Sequence, residues 1–382
     1  MGFIFIFVVV NIFVTTLWLP SFDMHERTRR SFYGEDGFST KRKHDDNRSY
    51  DDIIHVVTSR FMQDQSTLNA LAKARLQLFE TFCLPTMLNQ NTDNFLWFVM
   101  ADPQLDPELL RHLQSLLEPH PNFYLVASNA KLLTPLNLTN TLSAEHPHQK
   151  LLLTGDIDLL RNQMLDPNRP LLLETRLDAD DGLHSNSLSH IQSIAKALPV
   201  DTRGWQIICN NIHYEWRNYD IVAMDPNITK ISSSGKLRIV RESICVTPGY
   251  TLVRHREPPG IEFPSWPKLG HHQVQRYWPE CRFEQTSIVE EVMETNTGNA
   301  SFDCWKKLGN FPAALRSRTV TSAGMNRVDT VPGEEKFENR TKMLWDLVER
   351  DFNITPKSAR LTSQYLKDRL HSIALDNLNG QW

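Results

Sequence analysis

From residue 51 onward the chain alternates short β-branched apolar runs with longer stretches whose apolar residues recur at helical spacing. "IIHVVTSR" (53–60) reads as a buried strand. Residues 64–82 set Leu68, Leu71, Leu78, Phe79 and Phe82 at helical spacing, with Ser66 or Thr67 placed to cap the start and Pro85 just beyond the end. "FLWFVMA" (95–101) predicts a second strand, "DPELLRHLQSLL" (106–117) a helix opening on Asp106 and Pro107, and "FYLVAS" (123–128) a third strand. Strands alternating with helices predict a parallel sheet with helical crossovers. Residues 129–168 break the rhythm with polar, proline-containing sequence and predict an excursion from the sheet. "LLLETRL" (171–177) then supplies a fourth strand, followed by a helix over about 185–198.

The second half reads differently. "GWQIICNN", "YDIVAM" and "GKLRIVRESICVTPGYTLVR" look like short strands separated by turns, so the sheet becomes mixed, and 319–340 is a polar loop. Two closing helices are expected, 340–352 and 356–376, the latter starting at Pro356 with Thr355 as its cap. The expected fold class is α/β: a mixed, mostly parallel Rossmann-like sheet flanked by helices over 51–382, with a helical extension from about 340.

Ahead of this domain, "FIFIFVVVNIFVTTLWL" (3–19) is an apolar run stopped by Pro20, at the short end of the roughly 17 to 25 residues that span a bilayer. With no positive n-region and no small-x-small cleavage site, residues 1–20 read as an uncleaved signal-anchor, and the charged stretch 21–50 as a flexible stem. Orientation is left open. The basic residues Arg27, Arg29, Arg30, Lys41, Arg42 and Lys43 follow the run and favour a cytosolic domain. N-x-S/T sequons at Asn47, Asn137, Asn227, Asn299, Asn339 and Asn353 favour a luminal, Golgi-type placement.

Charge removes one class of partner. The net charge is −4 and no basic stripe interleaves with aromatics, so nucleic-acid binding is not expected. The five cysteines form no CxxC pair and show no zinc-site spacing. Cys83 reads as an unpaired core residue, leaving Cys209, Cys245, Cys281 and Cys304 with three possible pairings.

The candidate chemistry lies in "TRLDADDGL" (175–183). Open parallel sheets bind ligands outside the carboxyl ends of their strands, where Asp178, Asp180 and Asp181 fall. In extended backbone residues i and i+2 point to the same side, so Asp178 and Asp180 share a face and can hold a magnesium or manganese ion, with Gly182 allowing a sharp turn beside them. Such a pair suits a nucleotide diphosphate. Arg176 is expected on the sheet's other side, with a structural salt bridge as its ordinary role. A rival triplet, Asp156-Ile157-Asp158, runs into Leu159 and Leu160 and reads as a helix cap. An EF-hand fails on ligand spacing, with Ser189 where its glutamate belongs.

"TRLDADDGL" resembles the T-R-L-D-x-D-D signature of the rhamnosyltransferase-like glycosyltransferases. "TSRF" (58–61), "ARLQLFETFCLPTMLNQ" (74–90) and "FLWFVMADP" (95–103) are similar, in order, to that family's opening strand, helix and second strand. The resemblance implies a GT-A nucleotide-sugar fold and transfer of a hexose or deoxyhexose, rhamnose among them, from a nucleotide donor to a glycan or small acceptor. It implies Asp178 and Asp180 as the metal and diphosphate site, with His271, or His272, completing the coordination. Thr58 and Arg60 fall where the donor would be held, and a guanidinium suits phosphate. Asp181 would contact the sugar or support the metal ligands. If the reaction inverts, Glu215 or Glu262 is a candidate base, each having an ordinary surface role as its alternative. Trp205, Trp216, Trp266 and Trp278 are either sugar-stacking or core residues. The rival from another class is a non-catalytic membrane glycoprotein holding calcium through the same aspartates; a glycosidase lacks an isolated carboxylate pair.

Overall fold

The computed structural model describes residues 52–128, 152–198, 205–219, 231–255, 305–308, 311–319, 321 and 338–379. The expected anchor, stem and polar loop, and Glu262, His271, His272, Trp266 and Trp278, lie wholly or almost wholly outside them. Among the described residues no helix is long and apolar enough to cross a membrane.

The parallel half of the sheet is built from the four expected strands. β1 (Ile53–Phe61) pairs in parallel with β2 (Leu96–Ala101) and with β4 (Leu171–Arg176), and β2 pairs in parallel with β3 (Phe123–Ala127). These strands are apolar on both sides because helices cover both faces. Ile53, Val57, Trp97, Val99, Leu125 and Leu173 enter the larger core on one face. Ile54, Val56, Leu96, Phe98, Tyr124 and Leu172 enter a smaller core on the other. Each such side chain contributes about 1.5–3 kcal/mol through burial.

Beyond β4 the sheet becomes antiparallel. β7 (Ile231–His255) pairs with β4 and β6 (Trp205–Tyr219) with β7; β6 in turn carries β8 (Trp305–Lys307) and β9 (Ala314–Arg318) in parallel. β5 (Gly182–Leu183) is antiparallel to β9 and ends the order β3-β2-β1-β4-β7-β6-β9-β5, with β8 on β6. The mixed Rossmann-like sheet is thus present, but "GKLRIVRESICVTPGYTLVR" lies in one long strand rather than several. Its pairing with β6 absorbs the polar positions through register shifts between Ile208 and Ile212.

The helices follow their caps. α1 (Asn69–Leu78) continues through a π-helical turn (Phe79–Cys83) into α2 (Leu84–Leu88). The expected helix therefore does not stop before Pro85. Pro85 has no N–H for the Thr81 carbonyl, and the widened turn accommodates it within the helix. Neither Ser66 nor Thr67 caps α1; Leu68 is the N-cap residue, and Asp376 accepts from the Leu71 N–H at 3.0 Å. α3 (Pro107–Leu117) opens on Asp106, which accepts from the Glu108 and Leu109 N–H groups. α4 (Ile157–Leu165) opens on Asp156 in the same way, so the rival triplet is a helix cap.

α5 (Ser187–Ala197) packs behind β1 and β4, where Gln192 lies 3.2 Å from His55 Nδ1 and His55 Nε2 lies 2.8 Å from Thr175 Oγ1. Burial pushes the His55 imidazole down to about 3, so it is neutral there. The closing helices number three among the described residues: α6 (Glu338–Phe352), α7 (Pro356–Asp368) and α8 (Leu370–Asn379). Thr355 caps α7 as expected, and the chain leaves helical geometry at Arg369. Cys83 is buried and free, and Cys209 is disulfide-bonded.

Candidate active site

β4 ends at Arg176, on the carboxyl edge of the parallel strands, and the acidic segment follows as a tight turn. The Asp181 N–H donates to the Asp178 carbonyl at 3.0 Å. The backbone is therefore not extended through Asp180, and strand alternation does not put Asp178 and Asp180 on a shared side. The turn instead leaves Asp178 exposed and Asp180 half-buried, with Ala179 and Asp181 buried. Asp178 and Asp180 remain electrostatic neighbours within it: burial and then the Asp178 charge push the Asp180 carboxyl up.

Both ends of the turn are anchored. The Leu177 N–H donates to the Thr58 carbonyl at 3.0 Å, and the Asp181 carboxylate accepts from the Ser317 N–H at 2.8 Å. Thr86 Oγ1 accepts from the Leu183 N–H at 3.2 Å and donates to the Cys83 carbonyl. Gly182 is needed for close approach rather than for a sharp turn, because a Cβ there would lie 2.8 Å from the Phe82 carbonyl oxygen and from Thr86 Cγ2. The π-helical turn thus seats β5, and Cys83 lies beneath the acidic cluster. Burial and then Asp181, Asp180 and Asp178 push its thiol well above the usual range.

Cations approach from several elements. Arg75 of α1 feels both Asp180 and Asp178. Its guanidinium is held by Gln65 Oε1 at 2.6 Å, Met62 Sδ at 3.3 Å and the Thr321 carbonyl at 3.2 Å. Arg316 of β9 acts on Asp180 and Asp181. Neither offsets burial and mutual repulsion, and the Asp181 carboxyl is raised well above its usual value.

Arg176 does not face away from the aspartates. It is two residues from Asp178 and close enough for that carboxylate to favour its charge, although burial first and then Arg60 lower it to about 10. Thr58 and Arg176 are register partners on parallel strands and Arg60 follows Thr58 by two, so all three share one face of the sheet. Arg60 is exposed, and the half-buried Thr58 donates to the Thr175 carbonyl at 3.4 Å.

Glu215 lies elsewhere, on β6, and it is neither at the surface nor placed as a base. It is buried, with Arg238 at 2.9 Å, Arg318 at 3.6 Å and Arg217 in direct contact. Burial pushes its carboxyl up, but Arg217, Arg238 and Arg318 outweigh burial and hold it below the usual value. A base needs a free lone pair and a raised affinity for protons. Beside it His213 is fully buried, neither ring nitrogen is hydrogen-bonded among the described residues, and burial followed by Arg316 lowers it to about 3. Trp216 is core, packed on Phe82 with ring centroids 4.6 Å apart.

Among the described residues no three His, Cys, Asp or Glu side chains stand together as a metal cage. The turn offers neighbouring carboxylates with Arg75, Arg176 and Arg316 acting on them. That combination can hold a cation and an anion side by side.

Residues 69–210 match the family model described as putative rhamnosyl transferase. The chain is similar to that family. The similarity points to a glycosyltransferase, whose class uses a sugar donor and an acceptor. The matched segment runs from α1 to the start of β6 and contains Arg75, Arg176, Asp178, Asp180 and Asp181; Thr58, Arg60, Glu215, Arg316 and His271 lie outside it. No curated protein matches the chain. Arg75 and Arg316 escape sequence reasoning. Arg75 had a signal: it interrupts the buried helical stripe of Leu71, Leu78 and Phe82 with a cation.

Proposed function

We propose that the chain transfers a sugar from a nucleoside-diphosphate donor, with the diphosphate seated at the Asp178–Asp181 turn. The observation that carries this reading is the acidic turn at the carboxyl end of β4, where burial and the neighbouring Asp178 charge push the Asp180 carboxyl up, with Arg176 close to Asp178 and Arg60 on the same sheet face as Arg176. Asp178 and Asp180 fit a divalent magnesium or manganese ion, which takes one or two protein carboxylates and completes its shell with water and phosphate oxygens. When bound, such an ion supplies Lewis-acid stabilisation of the departing diphosphate.

The remaining work falls to the chain itself. Arg60 and Arg176 present guanidinium groups to phosphate oxygens. Arg75, braced by Gln65, Met62 and Thr321, fixes the side of the turn from which the carboxylates are approached. Asp181 positions the turn through the Ser317 N–H. Glu215 has no catalytic part. The donor sugar is a hexose or deoxyhexose, with rhamnose favoured by the family similarity.

The calcium-binding alternative is less well supported, because calcium takes six to eight oxygen ligands and the described residues gather no group of three. A luminal, membrane-anchored placement is supported by the apolar run at 3–19 and by the disulfide at Cys209, which suits an oxidising compartment. Incubating the full chain with nucleotide sugars and manganese tests the reading. Release of nucleoside diphosphate that stops on chelation supports it, and a folded protein that turns over no donor contradicts it.

A further inference from the structure

A cavity of about 590 Å³ opens between α5, β6, the Phe311–Pro312 segment and α6. Its walls include His184, His190, Tyr214, Phe311, Arg350 and Asp351. His184 lies three residues past Asp181, so at most about 11 Å of chain separates the cavity from the acidic turn. None of the residues assigned to the donor lines it.

The chemistry of the cavity selects a ligand class. Arg350 grips the Asp351 carboxylate with two hydrogen bonds, Nε to Oδ1 at 2.6 Å and Nη2 to Oδ2 at 2.7 Å, so among the described lining residues the one acid and the one arginine cancel and the carboxylate plane is fixed. Phe311 is bracketed edge-on by the His184 and His190 rings, at centroid distances of 5.2 and 5.6 Å. His190 Nε2 lies 2.9 Å from the Leu308 carbonyl. The described lining of the cavity is therefore aromatic, polar and without net charge.

His184 and Asp351 define the hydrogen-bonding pattern. His184 Nδ1 accepts from the Asn186 N–H at 3.0 Å, which leaves the ring proton on Nε2. Nε2 lies 3.7 Å from Asp351 Oδ2, too far for a direct hydrogen bond. A hydroxyl oxygen about 2.8 Å from each atom closes that gap, accepting from Nε2–H and donating to the carboxylate. A group that accepts and donates at one oxygen, next to an aromatic wall and in the absence of net charge, describes a sugar hydroxyl. We infer that this cavity binds a neutral saccharide, at a site separate from the acidic turn and not dependent on the transfer reaction.

Saturation-transfer NMR on the full chain tests this, with chelator present and no nucleotide. The probes are the methyl glycosides of glucose, galactose, mannose, fucose and rhamnose, with lactose and sucrose. The expected result is transfer to at least one probe, reduced at least five-fold by Asp351→Asn and by Ser193→Trp, and unchanged by Asp180→Asn. Ser193 lines the cavity from the exposed side of α5, so its replacement fills the space without entering the core. No transfer to any probe, or transfer that persists in folded Ser193→Trp, overturns the inference. Loss in Asp180→Asn with retention in Ser193→Trp also overturns it, by returning the sugar to the donor site.

Discussion

At the Asp178–Asp181 turn, burial and mutual repulsion outweigh Arg75 and Arg316, and the carboxyls of Asp180 and Asp181 are raised. At Glu215, on the antiparallel half of the sheet, three arginines outweigh burial and the carboxyl is lowered. Both sites combine acid with arginine, and only the direction of balance separates them. A carboxylate whose charge the protein has already over-compensated is committed to holding strands together. One whose charge is left in excess can still bind a cation from outside. The contrast favours the acidic turn over Glu215 as the place of the proposed transfer chemistry.

The comparison breaks most readily at Glu215. Replacing it with glutamine leaves Arg217, Arg238 and Arg318 facing one another without their counter-charge, and about 3–5 kcal/mol of stability is expected to go at pH 7. Urea unfolding of the full chain measures this. Because the folded carboxyl titrates below its unfolded value, this contribution is complete above the unfolded value and disappears as pH falls through the folded one. The gap between wild type and Glu215→Gln should therefore close below about pH 4.

His213 provides a pH-dependent test of the same cluster. Held at about 3 when folded, against 6.5 unfolded, it binds its proton only on unfolding, so stability falls on acidification between those values. The slope is about 1.4 kcal/mol per pH unit well below 6.5. His213→Leu removes that slope and two buried nitrogens that have no partner among the described residues. Between pH 7 and pH 5 the variant should lose less stability than wild type; equal losses would show that His213 is not buried as a neutral group.

Smaller effects are expected at the turn. Asp181→Asn keeps an acceptor for the Ser317 N–H and relieves repulsion from its neighbours, so it should change stability by about 1 kcal/mol or less. Asp178→Asn, at an exposed position, should stay within about 0.5 kcal/mol. If either costs as much as Glu215→Gln, the two sites are alike and the contrast is lost.

The parallel half of the sheet was legible because each strand is a short apolar run and each helix carries a local cap: Asp106, Asp156 and Thr355 all act within three residues of themselves. What escaped depends on residues far apart in sequence. Asp376 caps α1 across the fold, and Arg238 and Arg318 reach Glu215 from separate strands. The acidic motif is legible from its place after the fourth strand, but strand alternation predicts an extended backbone there. The bond from Asp181 to the Asp178 carbonyl bends it instead, and no alternation pattern records that bond. Gly182 marked a tight approach to Phe82 and Thr86, which a turn signal does not distinguish from a bend.

The most direct test is release of nucleoside diphosphate from a panel of UDP-, GDP- and dTDP-sugars by the full chain with manganese, comparing wild type, Asp180→Asn and Glu215→Gln at a temperature where all three are folded. The account predicts metal-dependent turnover of at least one donor, lowered by a factor on the order of 100 or more in Asp180→Asn and retained within a few-fold in Glu215→Gln. Turnover that survives in Asp180→Asn and vanishes in folded Glu215→Gln would contradict it.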